Sequence, residues 1–390
     1  MHIAYLAILL SATACSAAFA LFIRHAAPKF GLIDQPAGRK AHKKPTPLGG
    51  GVAIFAGTCL PVAAGLAACF LATKGSILPF SNEALRLHAG GVMANAGRLA
   101  WIGGCGLFLA IVGLVDDRLD IGPMKKLAAQ ILAGLVLFLG CGVSVSVFMD
   151  SHIIRLFLTI LWIAFMTNSF NLLDNMDGLT GGIACITSAM IFVVAYQTGQ
   201  VFICALLCAF IGALAGFLLF NFPPASIFMG DCGSLFVGYF LAVVTALTTF
   251  LAIPSGSFSS GIPLEESAVA SPIFPIAVPL CIFAIPLYDT VSVILIRLHQ
   301  KRPVFKGDRS HFSHRLLALG MTPRQVLLTI YLATFCTGAG ATIFYQSSRW
   351  SLLVVPAQVM AVLGVIVLLE LAARLRNDQD NDPPSEQART

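Results

Sequence analysis

Long runs of apolar residues, separated by short polar segments, make up most of the chain. Within a run, apolar and polar positions do not alternate as they do in barrel strands, and most runs approach the roughly 20 residues that a membrane-spanning helix needs. Only helices and closed barrels satisfy the backbone in lipid, so the pattern predicts an all-α integral membrane protein. About eleven such runs occur, at residues 3–23, 48–73, 99–115, 127–149, 156–173, 179–197, 201–220, 234–253, 273–296, 326–346 and 352–371.

The Lys and Arg residues are concentrated in the loops on one side of these predicted spans. Loops 24–47, 116–126 and 297–325, together with the tail from residue 372, contain 19 of the 24. Cytoplasmic loops of membrane proteins have an excess of Lys and Arg. The distribution therefore predicts an N-terminus outside, a cytoplasmic C-terminus and cytoplasmic loops on this basic side.

Composition supports the membrane prediction and divides the chain into two parts. Hydrophobic residues make up 57% of the chain and charged residues 11%, whereas a soluble domain has about 25% charged residues. Residues 1–371 form the predicted polytopic domain, and the polar, acidic segment 372–390 is predicted to be a disordered cytoplasmic tail.

The eleven cysteines lack a CxxC pair, which favours a role as small apolar residues. Nucleic acid is not an expected partner.

The segment 168–182 is a polar gap between two predicted spans. It contains the carboxylates Asp174 and Asp177 and the amides Asn168 and Asn171, but no Lys or Arg. Carboxylates at the edge of a hydrocarbon layer are energetically costly, so they mark a functional site. Oxygen side chains of this kind are suited to binding a cation.

Two further acidic segments lie on the same predicted side. Asp116 and Asp117 follow the third span, where adjacent carboxylates indicate either a bound cation or a solvated turn at the end of a helix. Asp231 lies between Gly230 and Gly233, where the backbone can approach a phosphate closely. The alternative for Asp231 is a position at the start of a helix.

The loop 297–325 contains clustered Lys, Arg and His residues that are suited to binding a diphosphate. A cytoplasmic loop that is basic only because of its orientation is the alternative. Carboxylates, amides and basic side chains nevertheless occur together on one predicted face. A metal ion together with basic side chains that bind phosphate is typical of enzymes of phosphoryl transfer. In these enzymes, positioning and charge neutralisation provide most of the catalysis.

These polar segments match, in order, the motifs of a known family. The matching segments are Asp34-Gln-Pro-Ala-Gly-Arg39-Lys40-Ala-His42-Lys43, Asp116-Asp117 with Lys126-Leu-Ala-Ala-Gln130, Asn168xxAsn171xxAsp174xxAsp177-Gly, Phe228-Met-Gly-Asp231-Cys-Gly-Ser-Leu, and Asp308-Arg309-Ser-His311-Phe-Ser-His314. The chain resembles the polyprenyl-phosphate N-acetylhexosamine-1-phosphate transferases. Within glycosyltransferase family 4 and the phospho-MurNAc-pentapeptide transferase superfamily, it is similar to the bacterial undecaprenyl-phosphate N-acetylglucosamine-1-phosphate transferase branch.

The resemblance implies a reaction in the bacterial inner membrane, at the cytoplasmic loops. Undecaprenyl phosphate would attack the β-phosphorus of a UDP-N-acetylhexosamine, giving undecaprenyl-diphosphate-sugar and UMP. N-acetylglucosamine is the expected sugar, and the step would begin synthesis of a cell-envelope lipopolysaccharide or exopolysaccharide. Mg²⁺ is the implied cofactor, with Mn²⁺ as the alternative, and a homodimer is compatible with the resemblance.

The resemblance also assigns roles to individual residues. The implied catalytic residues are Asp116, Asp117, Asp174, Asp177, His311 and His314. The implied substrate-binding residues are Lys126, Phe228, Arg309, Lys43 and Asn168. The implied metal ligands are Asp231 and Asn171. Asp116 would be the base or would position a phosphate, and Lys126 would bind the prenyl phosphate. Phe228 is a candidate for stacking on uracil.

Three questions stay open at this point. Ser313 stands where both family branches have a histidine, which leaves the sugar and that residue's role undecided. Asp289 falls within a predicted span, where it has either a functional role or a structural one through Arg297. A secondary transporter or divalent-cation permease, and an inactive relative with a scaffold role, are the alternatives to an enzyme.

Overall fold

The computed structural model describes residues 1–35, 45–74, 83–145, 151–250, 274–303, 310–343 and 351–381. These residues form fourteen α-helices. The helices are α1 His2–Ala26, α2 Gly50–Thr73, α3 Glu83–Ala94, α4 Ala96–Leu119, α5 Pro123–Cys141, α6 His152–Leu173, α7 Leu179–Gln197, α8 Val201–Asn221, α9 Gly230–Thr245, α10 Phe274–Ile282, α11 Ala284–His299, α12 Phe312–Ala318, α13 Pro323–Ile343 and α14 Ser351–Asn381.

The predicted fold class is confirmed. Among the described residues, ten helical segments are long and apolar enough to cross a membrane, and the bent pair α10–α11 raises the number to eleven. The orientation derived from Lys and Arg stays a prediction. Helix α14 continues to Asn381, past the predicted start of the tail at residue 372, and residues 382–390 lie outside the described residues. The domain division also stays a prediction.

The predicted span 273–296 is broken rather than straight. Its two parts, α10 and α11, meet at Phe283 with a bend of 78°. Pro286 explains the break, because proline has no N–H to donate to the carbonyl four residues earlier and its ring crowds that carbonyl. The carbonyl belongs to Ile282, the last residue of α10. The bend changes the direction of the chain ahead of α11, on which Asp289 lies.

Helix α9 forms the centre of the bundle. It is buried along almost its entire length and packs against α4, α6 and α2, with a smaller contact to α7. Helix α14, by contrast, lies at the rim, where most of its described apolar side chains are exposed. Exposed apolar residues at the rim are expected where lipid replaces water as the solvent.

Short irregular segments hold the polar ends of the helices together. Strands β1, Ile33–Asp34, and β2, Thr46–Pro47, form an antiparallel pair. The backbone N–H of Phe228 donates to the Pro47 carbonyl at 2.9 Å, and the N–H of Gly50 donates to the Phe228 carbonyl at 2.9 Å. The start of α9 is thereby attached to the start of α2.

Candidate active site

Lys126 connects two carboxylates from separate helices. Its Nζ donates to Oδ2 of Asp116 at 2.7 Å and also to Oδ2 of Asp231. Lys126 is in the first turn of α5, Asp116 in the last turn of α4, and Asp231 in the first turn of α9. The other oxygen of Asp116 accepts the backbone N–H of Ile121 at 2.9 Å, which orders the short turn between α4 and α5. The structure therefore brings Asp231 to a pair of residues that lie more than 100 positions before it in the sequence.

Asp117, the neighbour of Asp116, binds the N-terminus of α9. Its Oδ1 accepts the N–H of Asp231 at 2.7 Å, and its Oδ2 accepts the N–H of Cys232 at 3.2 Å. A carboxylate at this place satisfies unpaired helical N–H groups and complements the helix dipole. Two of the N–H groups expected to approach a phosphate are thus already used. Asp231 itself lies in the first turn of α9, and its role as a metal ligand stays a prediction.

Glycines allow α4 and α9 to approach closely here. A Cβ atom at Gly113 would overlap the Asp231 carbonyl and the Cys232 backbone nitrogen. Gly230, just before Asp231, has a φ of +70°, a left-handed conformation that favours glycine. The position of Asp117 against α9 therefore depends on both glycines.

The two asparagines at the end of α6 have different partners. Nδ2 of Asn171 donates to Oδ1 of Asp231 at 3.0 Å and to Oγ of Ser234 at 2.9 Å. Nδ2 of Asn168 donates to Oε1 of the fully buried Gln130 at 2.5 Å. Asn171 thus belongs to the acid cluster around Asp231, whereas Asn168 joins α6 to α5. The substrate-binding role of Asn168 stays a prediction.

Asp174 and Asp177 occupy the loop between α6 and α7. Burial raises the pKa of the Asp174 carboxyl to about 7, and the negative charge of the nearby Asp231 acts in the same direction. Oδ2 of Asp177 accepts the N–H of Ala225 at 3.0 Å, so this carboxylate orders the loop that precedes α9. The catalytic roles of both carboxylates stay predictions.

His311, immediately before α12, is held by a buried carboxylate. Its Nδ1 lies 2.9 Å from Oδ2 of Asp289, whose Oδ1 accepts the N–H of Phe312 at 2.6 Å. Asp289 is 1% exposed and His311 is 4% exposed. A carboxylate only accepts hydrogen bonds, so Nδ1 of His311 carries the proton in this contact and Nε2 is the nitrogen that Asp289 does not bind. Asp289 thus orients a predicted site residue, a role that sequence reasoning left undecided.

Ser313 connects this histidine segment to the loop after α6. Its Oγ donates to Oδ1 of Asn175 at 2.6 Å. Asn175 lies four residues after Asn171, in the loop that follows α6, so the segment 168–182 contacts both the acid cluster and the histidine segment. His314, also on α12, is partly buried. The polar gap between two spans is therefore the junction of the whole site.

The remaining predicted site residues are less constrained by the structure. The Phe228 side chain is partly buried beside the start of α9, and its predicted stacking on uracil stays a prediction. Lys43 and Arg309 lie outside the described residues. Sequence reasoning did not assign roles to Gln130, Ser234 or Asn175. Gln130 falls within a matching motif, but the partners of all three depend on long-range packing.

The donor atoms around Asp231 fit a hard divalent cation only in part. Among the described residues, no group of three or more His, Cys, Asp or Glu side chains is assembled for a metal. Asn171 presents its amide nitrogen to Asp231, so binding a cation between them requires that amide to turn over. Mg²⁺ commonly binds one or two protein carboxylates, with water and substrate phosphates as the other ligands. Asp231 and Asn171 fit that type of site.

Fold and site together define a class of protein. A multi-span helical bundle has carboxylates, a lysine and a carboxylate-bound histidine at one end of its helices. This combination is typical of a membrane-embedded enzyme. Acids are costly near lipid, and a membrane protein retains them where they have a function other than crossing the membrane.

Comparison with known proteins identifies the family. Residues 99–249 match the family described as glycosyl transferase family 4. The chain is 31% identical over 337 residues to a probable undecaprenyl-phosphate N-acetylglucosaminyl 1-phosphate transferase of Bacillus subtilis, covering 84% of this chain and 81% of the relative. It is 30% identical to an undecaprenyl-phosphate α-N-acetylglucosaminyl 1-phosphate transferase of Yersinia pestis (82% and 78% covered) and 30% identical to a decaprenyl-phosphate N-acetylglucosaminephosphotransferase of Mycolicibacterium smegmatis (91% and 84% covered). The chain belongs to the polyprenyl-phosphate N-acetylhexosamine-1-phosphate transferases of glycosyl transferase family 4.

Proposed function

We propose that the protein transfers N-acetylglucosamine-1-phosphate from UDP-N-acetylglucosamine to undecaprenyl phosphate. The products are undecaprenyl-diphosphate-N-acetylglucosamine and UMP. The relatives from Bacillus subtilis and Yersinia pestis have names that describe this sugar and this lipid. The observation that most favours the proposal is Lys126 between Asp116 and Asp231, an ammonium group beside carboxylates at a membrane helix end.

The reaction is a direct displacement at phosphorus. An oxygen of the prenyl phosphate forms a bond to the β-phosphorus of the sugar nucleotide, while the bond from that phosphorus to the bridging oxygen breaks and UMP leaves. The prenyl phosphate is already an anionic nucleophile, so a covalent enzyme intermediate is not required. Every carboxylate oxygen of Asp116 and Asp117 accepts a hydrogen bond, which supports a positioning role for both residues rather than a nucleophilic one.

Lys126 has the charge and location to bind the phosphate of the lipid. The ammonium group is a compact cation with three donors, of which the two carboxylates use two. A phosphate that enters from the lipid side would accept a hydrogen bond from Nζ. The ammonium charge would neutralise part of the negative charge of that phosphate. His311 would offer Nε2 to the sugar or diphosphate, because Asp289 occupies its Nδ1.

Mg²⁺ is the proposed cofactor, with Mn²⁺ as the alternative. Asp231 and Asn171 would hold it, and when bound it would neutralise charge on the diphosphate oxygens. Asp231 would serve as its ligand, and Lys126, which also pairs with Asp116, would bind phosphate. The carboxyl groups of Asp117 and Asp174, when ionised, would add negative charge that favours a cation.

The proposed setting is the bacterial inner membrane, with the site on the cytoplasmic face where sugar nucleotides are available. The step would begin assembly of an envelope polysaccharide. Family membership favours this enzyme over a transporter or permease, and so does the position of the acids at helix ends. An inactive scaffold relative would keep the fold but release no UMP.

A panel of UDP-sugars tests the proposal. Purified protein is incubated with undecaprenyl phosphate, Mg²⁺ and each UDP-N-acetylhexosamine in turn, and UMP is separated by chromatography. UMP should form with UDP-N-acetylglucosamine, depend on the lipid and stop when a chelator removes the metal, with Mn²⁺ tested for replacement. Absence of UMP with every donor would contradict the enzyme function. Metal-ion uptake into liposomes that contain the protein would then favour the permease.

A phosphosugar trapped on Asp116 or Asp117 without the lipid acceptor would contradict direct displacement. The experiment uses a donor labelled in the sugar, no undecaprenyl phosphate, and mass spectrometry of the peptides containing these two residues. Unmodified peptides are the expected result.

A further inference from the structure

Glu370 is a buried carboxylate on a helix that otherwise lies at the rim of the bundle. It belongs to α14, near the end of that helix's membrane span, and is 8% exposed. Apolar neighbours such as Leu368, Leu369 and Leu371 are largely exposed. A carboxylate inside a membrane protein is costly and is retained where it has a partner and a purpose. The reaction described above does not use Glu370.

Two partners of Glu370 lie beside the segment that contains the histidines. Oε1 of Glu370 lies 3.2 Å from Nε of Arg315, a residue of α12. Oε2 accepts the hydroxyl of Tyr288, a residue of α11, at 3.1 Å. One carboxylate thus binds both the helix that follows His311 and the helix on which Asp289 lies.

The contacts continue from these partners to His311. The Tyr288 ring meets the Phe312 ring edge-on, with centroids 6.0 Å apart, and Phe312 is the residue after His311. The guanidinium of Arg315 lies 5.8 Å from the centre of the Tyr288 ring, and its Nη2 donates to Oγ of Ser292 at 2.8 Å. Every step is a direct contact between buried or partly buried side chains.

Helix α12 has only seven residues and cannot hold its orientation alone. Asp289 binds its first residue, Phe312, Asn175 accepts from Ser313, and the Arg315 cluster holds the end of the first turn. Without the attachment at Arg315 the helix could tilt about the bonds at Phe312 and Ser313, and the His311 ring before it would move. Displacement of a site residue by about 1 Å can reduce turnover by about a hundredfold.

We propose that Glu370 is a positioning residue: through Arg315 and Tyr288 it fixes α12, and with it His311, for the transfer reaction. The expected effect on turnover rests on the proposed function. The expected effect on the position of α12 does not. It makes the last membrane helix a support of the active site. A purely structural Glu370 would only attach α14 to the bundle.

The test compares Glu370→Leu and Glu370→Gln with a control on the same helix. Gln358→Leu is the matched control, since Nε2 of Gln358 donates to the Cys336 carbonyl at 2.9 Å and attaches α14 to α13 without contact to α12. All variants are purified as full chains, and melting temperature and turnover are measured on folded protein. Wild-type turnover is established first, so a missing activity is assigned to the proposed function and not to Glu370.

Glu370→Leu should lower kcat by about tenfold to a hundredfold, with KM for the sugar nucleotide little changed. Glu370→Gln, which keeps the acceptor oxygen and loses the charge, should lose less. Arg315→Leu should lower kcat similarly, and the double variant Glu370→Leu/Arg315→Leu should lose clearly less than the combined losses of the single variants, because both changes remove the shared Glu370–Arg315 contact. Gln358→Leu should retain wild-type kcat.

A readout independent of turnover follows the position of His311. Diethyl pyrocarbonate modifies accessible imidazoles, and tandem mass spectrometry distinguishes His311 from His314. Labelling of His311 should be slow in wild type and in Gln358→Leu, and several times faster in Glu370→Leu. The proposal is overturned if Glu370→Leu lowers only the melting temperature while kcat and labelling match the control. It is equally overturned if the losses in the double variant are additive.

Discussion

Replacement of Asp289 by asparagine tests whether His311 acts through a defined ring nitrogen. The wild-type carboxylate, 1% exposed, accepts from Nδ1 of His311 and from the N–H of Phe312. In Asp289→Asn, the amide oxygen can still accept from Phe312, but its NH₂ group then faces Nδ1. Because NH₂ only donates, the imidazole proton must move to Nε2, and the substrate would meet a donor where it had met an acceptor.

The size of the effect follows from the bonds that change. A hydrogen bond to a charged group contributes about 1.5–3 kcal/mol, and about 1.4 kcal/mol corresponds to tenfold in rate. Since the bond from Phe312 survives, one charge-assisted bond is lost. Asp289→Asn should therefore lower kcat by about tenfold to a hundredfold, with a smaller change in KM.

The assay is UMP release from UDP-N-acetylglucosamine at saturating undecaprenyl phosphate, expressed per folded molecule. Thr334→Val is the control, because the fully buried Thr334 hydroxyl bonds only to the Ile330 carbonyl of its own helix among the contacts described. Asp289→Asn with wild-type kcat would refute the assigned orientation of His311. A loss explained entirely by less folded protein would refute it as well.

Three further substitutions address other parts of the site. Lys126→Met leaves two carboxylates facing each other without their cation, and turnover should fall by about a hundredfold or more, even in excess Mg²⁺. Ser313→Ala removes the hydroxyl bond to Asn175, worth about 1 kcal/mol, so kcat should fall by about fivefold. Gly113→Ala places a Cβ against the α9 backbone and should destabilise the fold by about 1–3 kcal/mol, measured as a lower melting temperature, whereas Gly103→Ala on the same helix meets open space and should not.

Each of these expectations has a result that contradicts it. Activity of Lys126→Met that returns at high Mg²⁺ would show that the lysine only substitutes for the metal. Unchanged turnover in Ser313→Ala would make that contact structural. Equal melting temperatures for the two glycine variants would contradict the close approach of α4 to α9.

The spans were predictable from sequence because their physical cause is local. A helix must be long and apolar to cross lipid, and both properties can be counted in a window. The break between α10 and α11 was missed, although Pro286 was visible, because membrane helices often tolerate proline when neighbours satisfy the backbone. The short helix α12 has neither the length nor the apolar pattern that would distinguish it from a loop.

The acid cluster was predictable in membership but not in arrangement. Asp116, Lys126, Asn171 and Asp231 were all recognised from motifs, and the structure brings them into contact. That Asp117 binds the start of α9, more than 100 residues away, depends on how α4 packs against α9. No local pattern specifies such a partner.

The supports of the histidine segment were the least predictable part. Asp289 looked like a span residue of undecided role, and Glu370 lay in an ordinary apolar run. Their partners, His311 and Arg315, are brought to them by the bend before α11 and by the docking of α14. A buried charge in a membrane segment indicates that a partner exists, but only the fold identifies it.

Identification of both products of one turnover tests the proposed transfer most directly. Purified protein, UDP-N-acetylglucosamine labelled in the sugar, undecaprenyl phosphate and Mg²⁺ are incubated together, and the nucleotide and lipid products are quantified. The proposed reaction predicts equal amounts of UMP and undecaprenyl-diphosphate-N-acetylglucosamine, and about a hundredfold less of both from Lys126→Met in the same time. Release of UDP with sugar attached through a single phosphate, or no lipid product at all, would contradict it.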